Sequence, residues 1–375
     1  MANILILGGG FGGLIAAEKL ASEFGSEHQI TLVSKNRKFI FYPALVQVAF
    51  GKFKPEDISF DLREKLSDLG VRFLQGEVIR INAESRLVSV AKEDYTVDVH
   101  YDYLVFALGR RLAAEKIPGF FEHAHHLLEV EAALKFGAAV KGFHSGRIVV
   151  GMCPGALLPV PACETAFALA RRFGTEISDK KVSITVVFPE TVREAFGGAK
   201  IYGELEWAFE KHDIELVENF PVREISEDKI LTENGGIINH DLLMLVPPFQ
   251  GQETLKNLGI ADESGYAKVN KFMQIAELPQ TYAVGDCTAL AGPKLAHMAV
   301  RQAAVAAKNI ASEIKGEQPD EVYHHEISTI IDQGGADSIY LHYGIWNDKF
   351  YELQKGTLWS WVKSIHDRYW QAVHF

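Results

Sequence analysis

Cysteine is scarce in this chain, with three in 375 residues at positions 153, 163 and 287. An odd number without metal-ligand spacing argues against a disulfide framework and offers no metal site. Charge is sparse as well. Only 23% of residues are charged, the net charge is −11, and no basic block stands out, which argues against nucleic acid as a partner. No apolar run approaches the ~18 residues that would span a bilayer. The first strand begins at Asn3, so the expectation is a protein without a signal peptide, kept on the cytoplasmic side. What is present is globular composition, 47% hydrophobic, with length for two or three domains.

The apolar run Asn3 to Leu7 leads directly into Gly8, Gly10 and Gly13 in G-x-G-x-x-G spacing, followed by a helical pattern from about Leu14 and a second strand, Gln29 to Val33. In a strand–turn–helix, the first glycine makes the tight turn and the second lets backbone approach a pyrophosphate. The third allows close helix–strand packing, and the helix N-terminus supplies free N–H groups. A dinucleotide site is expected here. Downstream, the strand Tyr103 to Phe106 ends in Ala107-Leu108-Gly109, and Thr281 to Val284 ends in Gly285-Asp286. This ordered set resembles the two-dinucleotide-binding flavoprotein superfamily. The resemblance implies that the fingerprint holds the FAD pyrophosphate, that the Ala107–Gly109 turn closes the domain, and that Asp286 bonds the ribityl chain. Phe11, Pro43 and Val78 are expected to join the FAD contacts. Where an acidic residue usually meets the adenosine ribose, Ser34 stands instead, followed by Lys35. Ser34 can bond one hydroxyl and Lys35 can meet a phosphate; both also read as ordinary loop residues.

A weaker second copy follows. Arg147 to Val150 ends at Gly151, a helix pattern runs from about Pro161 to Arg172, and Val182 to Phe188 is the next strand. The expected fold is α/β with two nested Rossmann-like domains. Residues 1–112 and 277–321 form the FAD domain, 113–276 the inserted second domain, and 322–375 a C-terminal region facing quinone and membrane. Between Gly151 and Glu164 the second copy carries Pro154, Pro159 and Pro161 where backbone N–H groups would cradle a pyrophosphate. Proline has no N–H to offer, so nicotinamide dinucleotide binding is not expected there.

Further motifs are Phe41-Tyr42-Pro43, Lys54-Pro55-Glu56-Asp57-Ile58, Pro161-Ala162-Cys163-Glu164, Val246-Pro247-Pro248-Phe249-Gln250-Gly251 and Gly292-Pro293-Lys294. With these the chain resembles the sulfide:quinone oxidoreductases, relatives of type II NADH:quinone oxidoreductases and flavocytochrome c sulfide dehydrogenases. The resemblance implies electron transfer from a small reduced sulfur donor through FAD to a membrane quinone, with a cysteine pair taking the sulfur. By register, Leu158 and Thr329 occupy the usual cysteine positions. Cys153 and Cys163 flank the first, and Cys163, at a helix start where the dipole favours thiolate, is the candidate nucleophile. Both also read as small buried hydrophobes, the preferred reading for Cys287. Glu164 is expected to shuttle protons to quinone or to cap its helix. The resemblance places Lys294 near the flavin pyrimidine edge, where its charge stabilises anionic reduced flavin. His297 reads first as a structural histidine and otherwise as a proton relay.

In the tail, Leu358, Trp361, Val362, Ile365, Tyr369 and Ala372 fall on one helical stripe. It reads as a peripheral membrane helix, or as a face packed on the core or on a partner in a homo-oligomer. Tyr340, Tyr343, Trp346, Phe350 and Tyr351 are candidates to line a quinone slot. Three functions stay open: sulfide oxidation with quinone reduction, NADH-fed quinone reduction, and a flavin-binding electron-transfer or sensor subunit without sulfide activity.

Overall fold

In the computed structural model, residues 1–334, 338–347 and 349–374 are described, without the side chains of 366–369 and 371–374. Two parallel sheets organise the chain. The first has the strand order Thr281–Ala283, Tyr103–Phe106, Asn3–Leu7, Gln29–Ser34, Arg72–Gln75. Its strands are nearly continuous apolar runs because both faces are covered, one by helices such as Phe11–Phe24 and the other by the antiparallel strand Leu87–Ala91 and its neighbours. From Asn3–Leu7 the chain winds outward to one side, then returns on the other as Tyr103–Phe106. The reversal leaves a crevice beyond the C-terminal ends of these two strands, where open α/β sheets bind ligands.

The second sheet repeats the plan in the order Ile214–Val217, Val182–Val187, Gly146–Met152, Leu242–Val246. Three antiparallel strands, Glu326–Ile331, Ser338–Gly344 and Tyr351–Gly356, then lead into a terminal helix, Thr357–His374. This is the α/β class read from the sequence. The fingerprint helix starts earlier than its apolar pattern, at Phe11, because Gly10 is extended and serves as the N-cap.

The fingerprint helix Phe11–Phe24 packs along the helix Ala296–Ile314. Both bury alanines, Ala16, Ala17 and Ala21 on one and Ala303, Ala306 and Ala307 on the other, which lets the axes come close. Gly8 has φ +115°, and a Cβ there would collide with the Ala107 carbonyl oxygen. A Cβ on Gly13 would collide with the Gly8 carbonyl oxygen. The turn, the helix and the Ala107–Gly109 turn therefore close on one another only as glycines.

The terminal helix is two-faced. Leu358, Trp361 and Ile365 are 62%, 70% and 50% exposed. Trp370 is buried, with its ring centroid 5.0 Å from Phe11, 5.5 Å from Phe39 and 5.4 Å from Phe41. The single apolar stripe expected for this helix is corrected accordingly: Val362 turns inward, while the Tyr369 and Ala372 side chains lie outside the described residues. Trp370→Ala should remove about 3–5 kcal/mol of docking energy. Amide exchange across 357–374 should quicken while Asn3–Leu7 keeps its protection; unchanged exchange in the helix would contradict this packing.

Candidate functional site

A cavity of about 920 Å³ opens at the crevice of the first sheet and continues beneath the terminal helix. Gly8, Gly10 and Phe11 line its floor, with Ala107 and Gly109 from the closing turn and Gly285 and Asp286 from the last strand. Ser34, Lys35, Pro43 and Val78 line the far wall. Gly13 lies behind the wall, packed on Gly8. The structure thus gathers into one space residues that the sequence scatters from Gly8 to Lys294.

The residues fit a dinucleotide. A Cβ at Gly10 would meet nothing within 4 Å, so the backbone there faces open cavity. The helix has no side-chain cap, and its first helical bond at this end is Leu14 N–H to the Gly10 carbonyl, at 2.9 Å. The N–H groups of the first turn are left for an anion. Ser34 Oγ donates to the Asn36 carbonyl at 2.8 Å, and exposed Lys35 pairs with Glu77 at 3.1 Å. Glu77 also lines the cavity, so a carboxylate from the strand Glu77–Asn82 stands beside Ser34 and Lys35 on this wall.

Asp286 forms an ion pair with Arg110, whose guanidinium lies 4.1 Å over the Phe249 ring. Arg110 Nε is buried without a hydrogen-bond partner among the described residues. Sequence reading missed Arg110, although its position directly after Gly109 was a signal. Lys294 is buried on the wall, its Nζ donating to the Thr288 and Leu290 carbonyls at 2.6 and 3.2 Å. Burial lowers its pKa, with Asp286 opposing. His297 Nε2 accepts from the Ser328 N–H at 3.0 Å, which fits the structural reading.

Towards the tail, Tyr340 and Trp359 stack with centroids 4.0 Å apart and planes 10° from parallel. Both line the cavity. Of the five aromatics expected to form a slot, Tyr340 alone is on this wall; Trp346 packs instead on Tyr323 and His325, and Phe350 on His342. Tyr351 donates to the Lys200 carbonyl at 2.8 Å, and Tyr343 packs against Tyr351. Pairing along Ser338–Gly344 turns alternate side chains to opposite faces, which separates Tyr340 from Tyr343.

Glu164 is buried on the same wall. Its Oε1 accepts from the Asp332 N–H at 2.8 Å and pairs with Lys363 of the terminal helix. Burial raises its pKa, while Lys363 and the Asp332 N–H pull it down. Lys363 is a second residue that sequence reading missed. It shares a helix face with Trp359 and Trp370, a spacing the 3.6-residue period could have revealed.

The cysteines require a correction. Cys153 sits in the apolar core of the second sheet and Cys163 in the main core; neither lines the cavity. Burial pushes both thiols well up, Cys163 further through Glu164, and the helix-start effect does not compensate. Burial likewise pushes Cys287 up to about 11. Leu158 and Thr329 do line the cavity. The positions that face the space thus carry no thiol.

The second fingerprint is closed by its own bonds. Pro159 and Pro161 have no N–H, and those of Ala162 and Cys163 bond the Pro159 carbonyl at 3.1 and 3.3 Å. Cys153 N–H is held by the Val246 carbonyl and Ala156 N–H by the Cys153 carbonyl, and Pro154, like Pro159 and Pro161, has no N–H to offer.

A profile of the pyridine nucleotide-disulphide oxidoreductase family matches residues 2–303. The chain belongs to this family. The oxidoreductase is 25% identical over 343 residues to the mitochondrial sulfide:quinone oxidoreductase of Mus musculus, covering 86% of this chain and 73% of the mouse protein. It is 28% identical to the sulfide-quinone reductase of Aquifex aeolicus, over 88% of this chain and 80% of that one. The crystal structure of the Aquifex aeolicus sulfide:quinone oxidoreductase superposes with TM-score 0.91 and 26% identity, covering 99% of this chain and 90% of that chain. The fold expected from the motifs is the one found, and the sulfide:quinone oxidoreductases that the motifs resemble are among the relatives this chain matches.

Thiol chemistry checks the burial. In the native oxidoreductase a thiol reagent such as DTNB should label none of the three cysteines within minutes, and all three after denaturation. Fast native labelling of Cys163 would reopen it as a nucleophile.

Proposed function

We propose that this chain is an FAD-dependent quinone reductase whose electron donor does not pass through a cysteine pair. The observation that carries the reading is the continuity of the cavity, from the glycine cradle past Lys294, Leu158 and Thr329 to the Tyr340–Trp359 stack. The flavin, when bound, supplies two-electron chemistry. The chain supplies position and charge. The N–H groups after Gly10 hold phosphate, Asp286 and Arg110 meet the ribityl region, and Lys294 brings positive charge. An aromatic stack walls the acceptor end, where a flat quinone ring is held by ring contact. Glu164 beside it holds a proton that quinone oxygen takes up.

Sulfide as donor is the second reading, favoured by the names of the mouse and Aquifex relatives. Against a thiol route stand Leu158 and Thr329 on the wall and both candidate cysteines in the core. The proline-blocked second fingerprint weighs against NADH. A membrane surface suits the acceptor side: Leu358, Trp361 and Ile365 form an exposed row on the helix that roofs the cavity, as an interfacial helix presents its apolar side. No helix among the described residues is long and apolar enough to cross a membrane.

FAD is expected to copurify, and Asp286→Ala to lose most of it; full retention would contradict the assignment. Anaerobic addition of NADH to the yellow protein should bleach the flavin slowly or not at all. Any bleaching by sulfide should persist at the parent rate in the Cys153→Ser, Cys163→Ser double variant. If that variant keeps FAD yet loses sulfide bleaching, the chain uses a thiol route and the proposal fails.

A further inference from the structure

Arg110 sits where two walls of the cavity meet. It follows the Ala107–Gly109 turn, which lies against Gly8 of the cradle. The Gln252 side-chain amide donates to the Leu108 and Gly109 carbonyls at 3.1 and 3.4 Å, which holds that turn in place. On the other side Gly12, in the first turn of the fingerprint helix, packs on Val284, two residues before Asp286. The ion pair of Arg110 with Asp286 therefore spans the crevice at the N-terminal end of the helix Phe11–Phe24. Both side chains are less than a fifth exposed, and both line the cavity.

The guanidinium is only partly used. It rests on the Phe249 ring, which the short pairing of Arg111–Leu112 with Phe249–Gln250 carries to it. Its hydrogen bond among the described residues goes to Asp286, and its Nε is buried with no partner among them. An arginine has five N–H donors, and buried donors are rarely left bare. On the wall itself Arg110 and Lys294 share one buried carboxylate, Asp286, and repel each other. Asp262, which also draws Lys294, does not line the cavity, and Glu129, which does, is exposed. The other cations of the wall are engaged or open to solvent: Lys35 pairs with Glu77, Arg301 with Glu326 and Lys363 with Glu164, while Lys38 is exposed.

We propose that Arg110 binds the diphosphate of FAD, as the charged partner of the N–H groups that follow Gly10. The inference rests on the FAD reading given above and assigns a residue within it. In FAD the ribityl chain ends on the diphosphate, so a guanidinium bonded to the ribityl acceptor Asp286 stands beside the phosphates. A carboxylate has two oxygens, and Asp286 can serve the guanidinium and a ribityl hydroxyl together. Helix N–H groups supply partial charge, whereas arginine supplies a full charge and a donor fork that matches phosphate oxygens. Phe249 and Asp286 hold the fork in place before the cofactor arrives, so less side-chain freedom is lost on binding.

Holoprotein of the parent and of the Arg110→Gln and Arg110→Met variants is diluted to nanomolar concentration with and without ADP or adenosine, and released FAD is read by its fluorescence. A variant that purifies without FAD is titrated directly with the two ligands by calorimetry. ADP carries the diphosphate without the flavin; adenosine carries neither. Both variants should hold FAD about thirtyfold less tightly, the scale of one hydrogen bond to a charged group. ADP should weaken by a similar factor, while adenosine binds as it does to the parent. The flavin midpoint potential should keep its parent value, because a phosphate contact leaves the ring alone. Parent-strength ADP binding in the variants, or an equal loss for adenosine, overturns the inference. So does recovery of ADP affinity in the Arg110→Gln, Asp286→Asn double variant, which would show that Arg110 only neutralises Asp286. An unmodified protein that neither carries nor takes up FAD overturns the cofactor reading, and the inference with it.

Discussion

The buried pair between Glu164 and Lys363 is the contact on which the functional geometry depends. It joins residues 199 positions apart, on the second-unit helix and on the terminal helix, with side chains only 7% and 12% exposed. Removing two charges from water is expensive, and such a pair often contributes little net stability compared with an apolar replacement. Breaking it is another matter: an unpaired buried charge costs about 3–5 kcal/mol. The pair therefore specifies position more than it stabilises. It fixes the register of the terminal helix over the cavity, which brings Trp359 onto Tyr340 and sets Trp370 among Phe11, Phe39 and Phe41.

That dependence explains what could be read in advance. The strands Asn3–Leu7, Tyr103–Phe106 and Val182–Val187 are short, buried and bounded by turn residues, so local pattern and fold agree. The glycine cradle was legible because its geometry excludes other residues: the space at Gly8 and Gly13 is already filled by backbone. Arg110 and Lys363 were not legible in this way. An arginine after a turn and a lysine in an aromatic helix are ordinary locally, and acquire meaning only beside Asp286 and Glu164, contributed by distant segments.

The tail shows how periodicity is both sufficient and ambiguous. An apolar row at Leu358, Trp361 and Ile365 is present and faces outward, the direction an interfacial helix needs and a core-packed one does not. The inward face, with Trp359, Val362, Lys363 and Trp370, is aromatic and cationic and does not read as a hydrophobic stripe. A helix with two usable faces has no unique orientation until the partner surface is known. Here the partner is a cavity wall containing a carboxylate, and ion pairing selects the face that carries the lysine.

The departures from the family pattern fall on one side of the chemistry. The cradle for the flavin has open N–H groups, and the acceptor end has an aromatic stack, a carboxyl and a lysine. On the other side, the second fingerprint carries three prolines that have no N–H, and Leu158 and Thr329 line the cavity where the family resemblance implies cysteines. The second copy is a separate parallel sheet, one face of which has its own core around Cys153, Val149 and Leu245 while the other shares the main core with the first sheet. A scaffold of this kind can alter its electron source while keeping its cofactor and acceptor. The glycine cradle is built on the first sheet, whereas Leu158 and Glu164 come from the second unit and Thr329 and Tyr340 from the C-terminal strands, and the three parts meet at the cavity.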